Sequence, residues 1–157
     1  MKKISLFCLL LVFFGVESCK KNESQKAPAK DEKPISVECY KALYEKDTIE
    51  LKINTLKDGK ITGKMAMKVF DLPEKVGVVS GEFRGDTLFV DYTFVEKTND
   101  KVTFKNPMAM LKKGNELILG SGKIENYLGR SYFAKGTTID FERVKYKFTK
   151  AECEVEK

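Results

Sequence analysis

The chain has 157 residues, with 29 Lys and Arg against 23 Asp and Glu, a formal charge of +6, and 42% hydrophobic residues. It contains no histidine, which removes the usual general base, the Ser-His and Cys-His nucleophile systems and the commonest metal ligand. No phosphate-binding loop or cofactor fingerprint stands out, so the expectation is a non-enzymatic protein with no cofactor and no metal.

Lys2 and Lys3 open the chain and precede an apolar run from Ile4 to Val16, broken only by Ser5, Cys8 and Gly15. This is the build of an export signal. A spanning helix needs about 20 apolar residues, and this run is shorter and ends at Glu17 and a Lys-rich segment. Ser18 stands directly before Cys19, with Val16 three positions before that cysteine. The junction resembles the lipobox of bacterial lipoproteins, although Glu17 occupies a position where that pattern usually has a small or aliphatic residue. The resemblance implies removal of residues 1–18 and lipidation of Cys19 through a thioether-linked diacylglycerol and an acylated amino group. Several acyl chains together give stable anchoring, where a single chain is only marginal. Lys20 follows where an Asp would imply inner-membrane retention, so the resemblance implies the outer membrane. Lys20-Lys21-Asn22-Glu23-Ser24 is not an acidic surface-export cluster, which favours the periplasmic face. Cys8, inside the apolar run, is discarded with the signal.

Residues 19–36 are polar, with Pro28 and Pro34 among charges, and read as a flexible tether. Its root-mean-square reach is roughly 20–25 Å. The remaining residues, 37–157, fit one domain large enough for a real core. Its lysines alternate with apolar residues and read as the solvated face of a sheet, although the net positive charge also suits anionic surfaces. Nucleic acid is not expected as a partner, because an exported chain with no binding motif offers no basis for it. Cys39 and Cys153 flank the domain, and in an oxidising compartment they are expected to form a disulfide, since neither lies in a Cys-X-X-Cys context. Such a bond makes the first and last strands neighbours.

A period of two begins after Ser36. Val37, Cys39, Lys41 and Leu43 alternate with Glu38, Tyr40, Ala42 and Tyr44, and Ile49, Leu51 and Ile53 alternate with polar residues. Lys57-Asp58-Gly59-Lys60 is a hairpin turn, followed by a strand through Ile61, Gly63, Met65, Met67 and Val69. Asp71-Leu72-Pro73-Glu74 breaks the pattern, Val76–Phe83 resumes it, and Arg84-Gly85-Asp86 turns the chain. The clearest strand carries Leu88, Val90, Tyr92 and Phe94 on one face. Lys97-Thr98-Asn99-Asp100 turns, Val102 and Phe104 begin another strand, and Pro107 kinks it or places it at an edge. Lys112-Lys113-Gly114-Asn115 turns into Leu117–Leu119 and Gly120-Ser121-Gly122. Asn126 to Gly136 reads as an irregular loop over an open end. Ile139 and Phe141, then Val144, Tyr146 and Phe148, form the last alternating run, with a bulge expected near Glu142 and Arg143.

About eight strands at this spacing predict an all-β, antiparallel up-and-down barrel, calycin-like in shape, with an open two-sheet β-sandwich as the alternative. Met65, Met67, Phe83, Tyr92, Phe94, Met108, Met110, Tyr146 and Phe148 are read as core, or as the lining of an apolar ligand pocket. Asp58, Asp86 and Asp91 are read as turn or outward-facing residues. Residues 19–157 also resemble small bacterial lipoproteins that join a Ser-Cys-Lys-Lys junction to a domain opening at Cys-Tyr and closing at a Cys. The matching run here is Gly81, Gly85, Asp86, Thr87, Leu88, Asp91, Tyr92 and Phe94. That resemblance implies no activity. The expected function is a monomeric, membrane-anchored protein that binds a small apolar ligand or an envelope component. The alternative is a protein-binding module such as a hydrolase inhibitor. Ser121-Gly122-Lys123-Ile124-Glu125-Asn126-Tyr127 does not reproduce the Ser-Gly-X-X-Tyr loop associated with lysozyme inhibitors of this shape.

Overall fold

The computed structural model describes residues 33–153. Cys19, the expected signal peptide and most of the expected tether lie outside the described residues. Ten strands follow in order: β1 (Ser36–Tyr44), β2 (Asp47–Thr55), β3 (Lys60–Lys68), β4 (Lys75–Arg84), β5 (Thr87–Glu96), β6 (Asn99–Lys113), β7 (Glu116–Leu119), β8 (Ile124–Tyr127), β9 (Arg130–Phe133) and β10 (Lys147–Ala151). Eight of them close an antiparallel barrel in the order β1-β10-β7-β6-β5-β4-β3-β2, and β8 and β9 form a separate hairpin. The first strand starts at Ser36, and just before it the Ile35 N–H already donates to the Thr55 carbonyl at 2.8 Å.

Alternation decides which side chains fill the barrel. Leu88, Val90, Tyr92 and Phe94 on β5 and Ile49, Leu51 and Ile53 on β2 are all buried, while their sequence neighbours face outward. Ala42, Phe148 and Leu117 meet across the β1-β10-β7 seam, each fully buried. The closed sheet must bend sharply to enclose so small a core. At Gly81 on β4 a Cβ would stand 1.9 Å from the Phe89 carbonyl oxygen, so only glycine permits that approach. The seam is fastened by the Cys39–Cys153 disulfide, whose Cα atoms are 5.2 Å apart.

The two barrel ends differ. One end has the tight turns with left-handed glycines, Gly59, Gly85 and Gly114, and is where β1 begins. At the other end, called the wide end below, the ladder is incomplete. There β7 pairs with β6 only over Met110–Lys113, so the long first part of β6, from Asn99 onward, has no barrel neighbour on that side. Pro107 lies in that unpaired stretch, where its missing N–H removes no ladder bond.

Three expectations need correction here. Asn126–Gly136 is not an irregular loop: most of it belongs to the β8–β9 hairpin, whose turn holds Leu128 (φ 49°) and Gly129 (φ 74°), positive angles at both central positions. The last strand begins only at Lys147. Ile139 and Phe141 pack against Gly120, and the Asp140 carboxylate accepts the Glu142 and Arg143 N–H groups at 2.8 and 3.1 Å, which bends the backbone there. The turn after β5 uses only Lys97 and Thr98, and Asn99 and Asp100 already belong to β6.

Candidate functional site

The wide end holds an open cleft of about 380 Å³. Its floor comes from inward-facing strand positions: Met67 on β3, Tyr92 and Phe94 on β5, Met108 on β6 and Leu119 on β7. Its far wall is the base of the small hairpin, Ile124 and Phe133, with Gly120-Ser121-Gly122 between. The Ala134 N–H donates to the Lys123 carbonyl at 2.8 Å and extends the hairpin's own ladder, and beyond it Ser121 and Asp140 join the flanking segments by backbone bonds at 2.9 and 2.8 Å. A Cβ on Gly122 would stand 2.9 Å from the Phe133 ring, so glycine lets that ring close the wall.

An aromatic ladder climbs from the core to the rim. The Tyr92 and Phe94 rings stack at 4.7 Å between centroids, and Phe94 stacks on Phe104 at 5.4 Å. Tyr92 and Phe94 are buried, whereas Phe104 is 41% exposed. The Tyr92 hydroxyl is spent at the bottom, donating to the Met65 carbonyl at 3.1 Å, and burial pushes its pKa up. Lys75, at the start of β4, is the only charged residue of the lining, and its ammonium lies 5.3 Å from the Phe94 ring centroid.

A second constellation ties this end shut at one side. Asp47, 5% exposed at the start of β2, accepts the Phe70 N–H at 2.8 Å, the Lys145 ammonium at 2.8 Å and the Tyr146 hydroxyl at 2.6 Å. The Lys145 ammonium also sits 4.7 Å from the Tyr44 ring centroid. One carboxylate thus joins the β1–β2 turn, the β3–β4 loop and the segment entering β10. The bond from Lys145, then those from Tyr146 and Phe70, hold Asp47 down at about 2, while burial opposes them. The folded value lies below the unfolded one of 3.8, so the stabilisation is fully present above about pH 4 and is lost as pH falls through about 2. Asp47→Asn is expected to flatten the fall in stability between pH 4 and 2, read as urea midpoints at successive pH values; an unchanged acid slope would assign that fall to other carboxylates.

The sequence-predicted residues divide clearly. Met65, Tyr92, Phe94, Met110 and Phe148 are buried core, and Phe83, Met67, Met108 and Tyr146 are partly buried against it. Of these, Met67, Met108, Tyr92 and Phe94 also line the cleft, so the core and pocket readings meet at the wide end. Cys39 and Cys153 are joined as expected. Asp58 accepts the Lys60 N–H within its turn, Asp86 stands in a turn, and Asp91 pairs outward with Lys105 at 2.8 Å. Sequence reasoning missed Lys75, Asn106, Ser121, Ile124 and Phe133. Lys75 was accessible in principle, because it shares parity with the inward Gly77 and Val79. Asp47 was also missed, since its partners come from distant segments.

A larger hollow of about 460 Å³ lies along β1, β2 and β3. Successive residues such as Glu50-Leu51-Lys52 and Lys64-Met65-Ala66 line it, and the inward members of those triplets are already buried in the core. It is therefore a depression of the outer wall, and the cleft at the wide end is the better built chamber. Among the described residues no group of three or more Cys, Asp or Glu is placed to hold a metal ion. Compared with protein-family models, curated proteins and solved structures, the chain matches none.

Proposed function

We propose that this protein is a non-enzymatic, lipid-anchored envelope protein whose barrel mouth binds a small apolar ligand. The observation that carries the proposal is the cleft itself: an open chamber lined by Met67, Met108, Leu119, Ile124 and Phe133, set above the buried apolar core. Its volume falls within the range of about 300–1,000 Å³ usual for small-molecule sites. Methionines suit such a lining because their unbranched, polarisable side chains repack around different guests. Anchoring through Cys19 at the outer membrane, on the periplasmic face, belongs to the same proposal and rests on the Val16-Glu17-Ser18-Cys19 junction. β1 begins at the end of the barrel opposite the cleft.

A second reading, a protein-binding module such as a hydrolase inhibitor, is favoured by the hairpin tip. Leu128 is 84% exposed at a positive φ, and Tyr127 beside it is 66% exposed. A leucine held there costs about 1–2 kcal/mol in backbone strain and covers nothing in the barrel. Native mass spectrometry of the full chain purified from its cells separates the readings. The expected spectrum shows a monomer carrying a noncovalent small molecule, and the same preparation, denatured, shows a mass that includes acyl groups on Cys19. A consistently empty barrel would shift the function to the hairpin tip and a protein partner, and an unmodified Cys19 would remove the anchor.

A further inference from the structure

We infer that the cleft takes an anionic single-chain amphiphile, with its apolar tail on Met67, Met108 and Leu119 and its acidic head at Lys75. The inference rests on the reading of the mouth as a ligand site and names the chemistry of that ligand.

Lys75 carries the argument because of where its charge is held. Its backbone stands opposite Met67 on β3 and Glu96 on β5. No ion pair to Glu96 forms; the ammonium lies instead over Phe94, a ring that is 5% exposed and part of the cleft wall. The other nearby carboxylate, Glu74, is engaged by Lys97 at 2.8 Å. A positive charge is thus presented at the lip of an apolar chamber, with an aromatic face on one side and solvent on the other. Cation–π contact holds the ammonium in place but leaves its donors available to an incoming acceptor.

An anionic head is the complement to that arrangement. A carboxylate at the lip accepts charge-assisted hydrogen bonds from Lys75, and it remains hydrated on its open side, which spares it the desolvation that a buried acid would suffer. Asn106 and Ser121, the two side chains of the lining with neutral polar groups besides Tyr92, supply further hydrogen-bonding capacity. A cationic head would meet Lys75 with like charge. The volume sits near the lower end of the small-ligand range, which suits one chain rather than a multi-chain lipid.

Isothermal titration calorimetry on the full chain bearing Cys19→Ala, purified without detergent, tests this at pH 8 with dodecanoate, dodecanol and dodecylammonium as probes. Dodecanoate is expected to bind about tenfold more tightly than dodecanol, the scale of one charge-assisted contact at a partly exposed site. Lys75→Met should remove that preference, Lys75→Arg should keep it, and Lys75→Glu should turn it towards dodecylammonium. Circular dichroism melts establish that each variant is folded. Equal binding of dodecanoate and dodecanol to the unmodified mouth, or a preference that survives Lys75→Met, would overturn the anionic head while leaving an apolar site. Failure of all three probes to bind would instead defeat the ligand-site reading beneath it.

Discussion

Replacing Cys39 and Cys153 together by alanine is expected to lower the unfolding free energy by about 2–5 kcal/mol. The bond spans 114 residues of chain, and for so long a loop the chain-entropy model gives roughly 5 kcal/mol as its upper figure. The native side of the ledger matters as well. β10 pairs with β1 over only four residues, Cys39↔Ala151 to Ala42↔Phe148, whereas β4 and β5 pair over ten. The strand that closes the barrel is therefore held by the shortest ladders, and Cys153 fastens it just beyond its last pair. A marginal total of about 5–15 kcal/mol makes this loss a large fraction of the whole. Urea unfolding of the double variant against the oxidised protein should show a lower midpoint together with a steeper m-value, because an uncrosslinked chain exposes more surface when it unfolds. A midpoint equal to that of the oxidised protein would mean that the seam is held by packing alone.

The elements that could be read from the sequence are those whose cause is local. β5 announces itself because every second residue is large, apolar and inward, and Asp58-Gly59 announces its turn because glycine supplies the positive φ there. Closure of the barrel was legible through Cys39 and Cys153, since a bond between the two ends of the domain constrains which strands are neighbours. The region from Gly120 to Tyr146 was read poorly for the opposite reason. The hairpin turn places Leu128, not a turn-forming residue, at a positive φ, and its strands are only four residues long. Ile139 and Phe141 keep the alternation of a strand but spend it on covering Gly120. The cleft combines strand parity, which is local, with a wall contributed by that misread segment. Met67, Met108, Tyr92 and Phe94 were thus within reach of pattern reasoning, while Ile124 and Phe133 depended on a tertiary contact. Asp47 is the clearest case: by spacing it is a polar residue next to a turn, and only the fold brings Lys145 and Tyr146 to it.

Phe148→Ala is expected to cost about 3–5 kcal/mol, the usual range for emptying a phenylalanine site in a core. Phe148 is completely buried on β10 and faces Ala42 on β1 and Leu117 on β7. Ala42 is too small to fill the space left behind, and both neighbouring strands are fixed by their other partners, so the wall cannot collapse far inward. Phe148→Leu, which keeps most of the volume, should cost clearly less, so the pair separates cavity formation from a general intolerance at the site. The kinetics carry further information. The meander from β2 to β6 forms by local hairpins, whereas β1 and β10 come from opposite ends of the domain and meet only when the barrel closes. Contacts made at that step are formed after the transition state when closure is late, and their loss then appears in the unfolding rate. Stopped-flow measurements on Phe148→Ala should therefore show unfolding accelerated by most of the measured destabilisation, with refolding little changed. A variant that refolds slowly and unfolds normally would place the β1–β10 seam in the folding nucleus, and the closing strand would then organise the barrel rather than complete it.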